Sequence, residues 1–290
     1  MGFIIVVIMS VLSGSGIAIQ KLWQKGTLGI KHAYEIYSLL MSICALAVFC
    51  IMAGFRLSAN LITLVYSFAY GMAALLTTIF AFCAMKKMSI ILYSVFSRGS
   101  TLFIWLFGVV VFREKINIQS IISAVLFGVS ILMPLLGNKD EKKTGAVKYI
   151  IGIVVMLLGT AASIIVKLYS AGPDKMPEAV LCFYTNVFVL LFLAVKFILT
   201  PERREYVADV RRAGRKILLV PLGTTFGNLA TLLSMYAIGI MPLSQYSVLS
   251  ASMSSGVTFL ISKVVYREDS SPSEIAAFLL STAAVLVNVL

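Results

Sequence analysis

With 290 residues, 60% of them apolar and only 12% charged, and with a mean hydropathy of +1.00, the chain is not an ordinary water-soluble domain. Such domains are about 45–50% apolar and roughly 25% charged. The net charge of +12 would point to nucleic acid in a soluble protein, but the basic residues lie mostly between apolar runs, where they orient a membrane protein instead, so no nucleic-acid partner is expected.

The first apolar run, 2–20, starts at once, with no basic residue ahead of it and no small-x-small cleavage site after it. It is expected to stay as a span and not to be removed as a signal. Nine further runs follow near 33–54, 60–83, 89–112, 117–136, 149–170, 178–199, 217–240, 243–265 and 272–290. Each is long enough for a hydrocarbon core of about 30 Å, which takes roughly 20 helical residues. The expected fold class is therefore all-α and polytopic, with ten transmembrane helices. A β-barrel does not fit, because the runs lack alternating polar positions. Cys44, Cys50, Cys83 and Cys182 all fall inside these runs without metal-type spacing, and read as small membrane-buried side chains.

The connections 83–89, 112–117 and 240–243 are short enough to force antiparallel hairpins. Two links are longer and polar. Gly137–Lys148 has no aromatic residue and divides the chain into 1–137 and 149–290, with 138–148 as linker. Pro201–Lys216 is rich in arginine and reads either as a short helix at the lipid headgroups or as a solvated loop. Basic residues crowd the links after the odd-numbered spans, as with Lys21, Lys25 and Lys31 after the first, which puts both termini outside by the positive-inside rule.

The two parts repeat one another. Met88-Ser-Ile-Ile-Leu-Tyr-Ser-Val-Phe-Ser97 is echoed by Met241-Pro-Leu-Ser-Gln-Tyr-Ser-Val-Leu-Ser250, and each copy runs on to an aromatic-Arg-Glu stop, Phe112-Arg113-Glu114 and Tyr266-Arg267-Glu268. Ile19-Gln-Lys-Leu-Trp23 matches Ile165-Val-Lys-Leu-Tyr169, and Tyr37 matches Tyr184. Because each unit has five spans, an odd number, the second enters the membrane from the side opposite to the first. Internal repetition of this kind is common in secondary transporters, whose sites lie between the halves. With its paired helix-4 and helix-9 cores and their Arg-Glu stops, the chain resembles the ten-helix, EamA-type members of the drug/metabolite transporter superfamily. The resemblance covers essentially the whole chain and implies a carrier working by alternating access. It also implies both termini inside, against the charge distribution.

Candidate site residues are polar groups deep in the spans. Arg98 lies roughly nine residues into its helix, about 14 Å along the axis at 1.5 Å per residue, where an arginine costs at least ~2.5–3.5 kcal/mol. Two readings stand side by side: a fork for a substrate anion, or a structural arginine capping carbonyls or tied to Glu35. Ser97, Asn186, Asn228, Gln245 and Ser250, with Tyr37, Tyr93, Tyr184 and Tyr246, are expected to point inward, toward substrate or toward another helix. Lys21, Lys167 and Lys196 are expected to snorkel to the headgroups. Glu35 opens its helix near an interface and is expected to be an exposed carboxylate favoured by the helix dipole. Pro221 and Pro242 fit either helix breaks or span ends.

With one histidine and no Walker loop or nucleophile–base pair, neither cofactor nor catalysis is expected. The expected function is a secondary transporter, an exporter, in a bacterial-type plasma membrane, its partners a lipid bilayer and a small-molecule substrate: an amino acid or another anionic or zwitterionic solute. The alternatives are a cationic drug exporter, which would need Glu35 buried, and a non-transporting membrane subunit that docks a partner through 201–216.

Overall fold

Apolar runs of this length leave backbone N–H and C=O groups no partner in lipid but one another, so the chain coils into helices. The computed structural model describes residues 2–27, 29–87, 90–113, 117–137, 145–199, 203–267 and 272–289. Among them all regular structure is helical: α1 (Gly2–Gly26), α2 (Ala33–Met52), α3 (Leu61–Lys87), α4 (Ile90–Phe112), α5 (Ile118–Gly137), α6 (Gly145–Ala171), α7 (Glu178–Leu199), α8 (Arg203–Ala213), α9 (Leu219–Ile240), α10 (Leu243–Ile261) and α11 (Pro272–Val289). Seven stretches, starting at Gly2, Ala33, Leu61, Ile150, Glu178, Glu205 and Gln245, are long and apolar enough to cross a membrane. Shorter apolar stretches are described in α4 (Gly99–Phe112), α5 (Ile118–Ser130) and α11 (Ile275–Ala284).

The surface is inverted relative to a soluble protein. Ile4, Ile43, Val65, Leu106, Val125, Ile153, Leu191, Leu222, Leu260 and Leu279, one from each long helix, are all 45% exposed or more. Hydroxyl side chains such as Ser10, Ser42, Ser67, Ser123, Thr185 and Ser254 are buried instead. Only lipid rewards that distribution. The chain is a multi-pass helical membrane protein.

One local expectation is corrected and two open ones are resolved. The first span was expected to stop at 20, where polar residues begin, yet α1 continues to Gly26. The protein supplies partners there: Trp23 is buried and its Nε1 donates to the Ala33 carbonyl at 3.1 Å. In the 201–216 link the described residues take the short-helix form, α8, followed by a 3-10 turn, Gly214–Leu218. Neither proline breaks a helix. Pro221 is the third residue of α9, just after the 3-10 turn, and Pro242 directly precedes α10. The helices α4 and α10 finish alike: α10 passes through a π turn, Ser262–Tyr266, and Arg113 and Arg267 both adopt a left-handed backbone with φ 51°. Glu114 and Glu268, which complete the two Arg-Glu stops, lie outside the described residues.

Helix α1 packs chiefly on α9 and α10, α3 on α6 and α7, α4 on α10 and α6, α5 on α11, and α2 on α7 and α9. Small residues let α1 and α9 cross closely. A β-carbon at Gly16 would stand 3.5 Å from the Gly223 carbonyl oxygen and 3.7 Å from the Gly227 nitrogen. The two helices run antiparallel: Gly2 lies against Met241 after α9, while Lys216, before α9, donates to the Gly26 carbonyl. The bundle thus has an α8 end, where α1 finishes, and an opposite end, where α9 finishes.

Candidate functional site

Between α1, α2, α3, α6, α9 and α10 lies a cavity of about 450 Å³. Its walls follow from helix spacing. Met9, Ser13, Gly16 and Gln20 recur at three- and four-residue steps on α1, so one face of that helix lines it. Helix α9 supplies Gly223, Thr224, Gly227, Asn228, Thr231 and Ser234 in the same way. Tyr37 and Met41 come from α2, Tyr70 and Thr77 from α3, Ser163 and Val166 from α6, and Tyr246 and Ser250 from α10. A side recess of about 110 Å³ between α2, α3, α7 and α9 shares Met41, Tyr70, Asn228 and Thr231 with the main cavity and adds Ser38, Ser42 and Asn186.

Among the described residues the lining carries no charge: hydroxyls, amides, tyrosine rings and methionine sulfurs stand among glycines and aliphatic side chains such as Ile17, Val166 and Ile238. Some of these groups serve the protein itself. The Tyr246 hydroxyl lies 2.5 Å from Ser234 Oγ, and the Asn186 amide donates to the Cys182 carbonyl at 2.8 Å. Others do not. Thr224 Oγ1, Asn228 Nδ2, Ser38 Oγ and Ser42 Oγ are buried without a hydrogen-bond partner in the protein. Buried polar atoms are seldom left that way, and these four belong to residues of one cavity and its recess.

Apolar cores flank the cavity toward each end of the bundle. Toward the α8 end, Trp23, Tyr37, Phe82 and Val220 form one core, with the Tyr37 and Phe82 ring centroids 5.3 Å apart. At the opposite end Val6, Met9, Tyr169, Leu181, Met235 and Leu243 form another.

The sequence-predicted residues divide. Tyr37, Asn228, Tyr246 and Ser250 meet in the main cavity and Asn186 in the recess. Tyr93 packs instead in an apolar core with Met85, Phe96 and Val155. The Tyr184 hydroxyl donates to the Leu57 carbonyl at 2.7 Å. Ser97 is half-buried and lines neither space; its carbonyl accepts from Ser100 Oγ at 3.1 Å. Gln245 is exposed, because it stands in the first turn of α10 at the rim of the bundle, where water can satisfy an amide. The Arg98 side chain lies outside the described residues. Gln20, Tyr70, Thr224 and Thr231 were missed; Gln20 and Tyr70 are polar interruptions of apolar runs and could have been found that way.

A second polar cluster overturns the expectation of an exposed Glu35. That residue is 8% exposed, with Lys196 Nζ at 2.5 Å from one carboxylate oxygen and His32 Nδ1 at 2.7 Å from the other. Lys196 also donates to the Tyr34 hydroxyl, so it ties α7 to α2 instead of snorkelling. Helix α8 closes over this cluster. The Asp209 carboxylate accepts from the His32 backbone N–H at 3.2 Å, Glu205 faces Lys31 at 3.4 Å, and the Tyr206 ring lies 5.4 Å from the His32 ring. Among the described residues no three His, Cys, Asp or Glu side chains gather to hold a metal ion.

No protein-family model and no curated protein matches the chain. Solved structures do: 28 chains match, and one crystal structure of a protein superposes with a TM-score of 0.64 over 97% of this chain and 95% of that one, at 18% identity. At that identity the likeness concerns the fold alone, and it extends over nearly the whole of both chains.

Proposed function

We propose that the chain is a secondary carrier, of the EamA-type drug/metabolite kind it resembles, built as ten spans in two inverted five-helix repeats, 1–137 and 149–290. The helix packing supports this reading. Set α8 aside and exchange each long helix for the one five spans later: α1 on α9 becomes α6 on α3, α1 on α10 becomes α6 on α4, and α2 on α9 becomes α7 on α3. The pairs α2–α7, α4–α10 and α5–α11 map onto themselves, as a two-fold relation requires. The matching backbone of Arg113 and Arg267 agrees.

The observation that carries the functional reading is the cavity of about 450 Å³ between the two sets of helices, with hydroxyls, amides and tyrosines in its walls. A space of that size suits a small organic solute, and alternating access would expose it to each side of a bacterial-type plasma membrane in turn. An amino acid or another anionic or zwitterionic solute is the substrate class proposed, with Arg98 as its anion contact. Export of cationic drugs needs Glu35 buried, and it is, at 8% exposure; but its carboxylate is held by Lys196 and His32 and does not line the main cavity, so the anionic or zwitterionic solute is preferred.

The test is counterflow of labelled amino acids and small organic acids in proteoliposomes, wild type against Arg98→Ala. Flux by the wild type that the variant loses is the expected result. Equal flux by both removes Arg98 from the mechanism, and no flux of any solute by pure, folded protein overturns the carrier.

A further inference from the structure

Helix α8 lies where two spans meet the membrane surface. The apolar helix α7 finishes at Leu199 and the apolar helix α9 begins at Leu219. Helix α8 and the 3-10 turn, between them in the chain, therefore run at the level of one leaflet's headgroups. Their apolar flanks are turned to lipid: Leu199 is 77% exposed and Leu218 73%, and Val207 on α8 itself is exposed as well.

The inner face of α8 is occupied by the protein. Tyr206, Asp209, Val210 and Ala213 recur at three- and four-residue steps, so they share one face. Tyr206, Val210 and Ala213 pack into the core that holds Trp23 and Ile36, and Asp209 takes the His32 N–H. Seated that way, the helix leaves Arg211 and Arg212 exposed. Gly214 then adopts a left-handed backbone, φ 52°, and leads the chain into the 3-10 turn, where Arg215 and Lys216 are exposed in turn.

These four cations are not equivalent. Arg212 stands 3.4 Å from the Asp209 carboxylate, and Lys216 donates to the Gly26 carbonyl. No described residue pairs with Arg211 or Arg215. Little anionic charge is at hand to offset them. Among the described side chains of this end Glu205 is the exposed carboxylate, and it faces Lys31 at 3.4 Å, while Asp209 and Glu35 are buried. The opposite end of the bundle is closer to balance, with Arg56, Arg113 and Lys175 beside Asp174 and Glu178 among its described residues.

We propose that this surface docks anionic phospholipid: Arg211 and Arg215 hold lipid phosphates, Arg212 and Lys216 add to the field, and Leu199 and Leu218 lie against the acyl chains. A guanidinium is a planar fork that matches phosphate oxygens. A cluster of basic residues on an amphipathic helix at the membrane surface favours anionic over zwitterionic lipid. The proposal rests on the membrane placement of the chain and not on the carrier reading. It also gives α8 a task, because its inner face closes over His32, Glu35 and Lys196. A lipid that holds α8 from outside stabilises the contacts beneath it.

The experiment uses the full chain, delipidated in an uncharged detergent and titrated with phosphatidylglycerol or with phosphatidylcholine. Bound lipid is counted by native mass spectrometry, and the melting temperature is followed alongside. The wild type is expected to prefer phosphatidylglycerol and to melt higher with it. Replacing both Arg211→Gln and Arg215→Gln is expected to weaken phosphatidylglycerol about thirtyfold, from about fivefold for each cation, and to leave phosphatidylcholine unchanged. Without lipid this variant should melt as the wild type does, since neither arginine has a partner among the described residues. Arg56→Gln with Lys175→Gln, at the opposite end, makes the same change of net charge and should keep the preference. Equal affinity of the wild type for the two lipids overturns the proposal, and so does unchanged affinity in the α8 variant. An equal loss in the opposite-end variant reduces the effect to net charge and overturns the site. A lower melting temperature of the α8 variant without lipid assigns the arginines to the fold and overturns it as well. Displacement of the lipid by inorganic phosphate identifies a site for free phosphate and overturns the lipid.

Discussion

Replacing Lys196 by methionine tests the tie between α2 and α7. It removes the cation 2.5 Å from Glu35 and leaves a carboxylate that is 8% exposed, with His32 Nδ1 at 2.7 Å as a remaining partner. Breaking one side of a fully buried pair costs about 3–5 kcal/mol. Here the lysine side chain is 43% exposed and screened by solvent, and His32 stays in place, so a loss of about 1–3 kcal/mol is expected. For a chain of this size that lowers the melting temperature by roughly 2–10 °C, measured in detergent by the loss of the monodisperse peak after heating. The discriminating arm is a double-mutant cycle with Glu35→Gln. If the pair is the operative contact, the double variant melts above the sum of the two losses, with a coupling of about 1–2 kcal/mol. Additive losses would refute the pairing and leave Lys196 a packing residue only.

Two glycines predict opposite outcomes. A β-carbon at Gly152 would stand 2.6–2.8 Å from three Phe96 ring atoms, with Phe96 buried on α4; Gly152→Ala should destabilise by about 1–3 kcal/mol, a smaller residue at Phe96 should restore the melting temperature, and an unchanged melting temperature disproves the contact. At Gly227 nothing lies within 4 Å of an added β-carbon, and that residue lines the cavity. Gly227→Ala should therefore melt no lower than wild type, and Gly227→Leu, whose longer side chain enters the cavity, should cut solute flux to background in protein that still runs as a monodisperse peak; full flux would show that the cavity is not the path.

The helices were legible because lipid demands long apolar runs, and ranges such as 178–199 were read to the residue. What stayed hidden were pairings between distant residues. Glu35 and Lys196 each looked like an ordinary interfacial charge, and nothing local signals that α7 brings the second to the first. Lys21 was misread for the same reason, since the aromatic ring centred 5.4 Å from its Nζ arrives from Tyr266. Within the site, Asn228 and Gln245 are alike as sequence, single amides among apolar neighbours. Position along the helix separates them: Asn228 is mid-α9 on the face with Thr224 and Thr231, whereas Gln245 is in a terminal turn. Tyr37 and Tyr184 match in sequence, yet one lines the cavity and the other holds the Leu57 carbonyl, because similar local sequence does not dictate the same distant contacts.

The packing of α1 on α9, α3 on α6 and α5 on α11 has a consequence for biogenesis. Neither stretch of the polypeptide owns the neighbours that bury its inner faces, so a nascent chain halted after α5 has inserted its spans but finished nothing. α1 must wait in the bilayer, Lys21 and all, until α9 and the ring at Tyr266 have been synthesised. Two fragments cut within the linker should each be degraded when expressed alone and survive when made together.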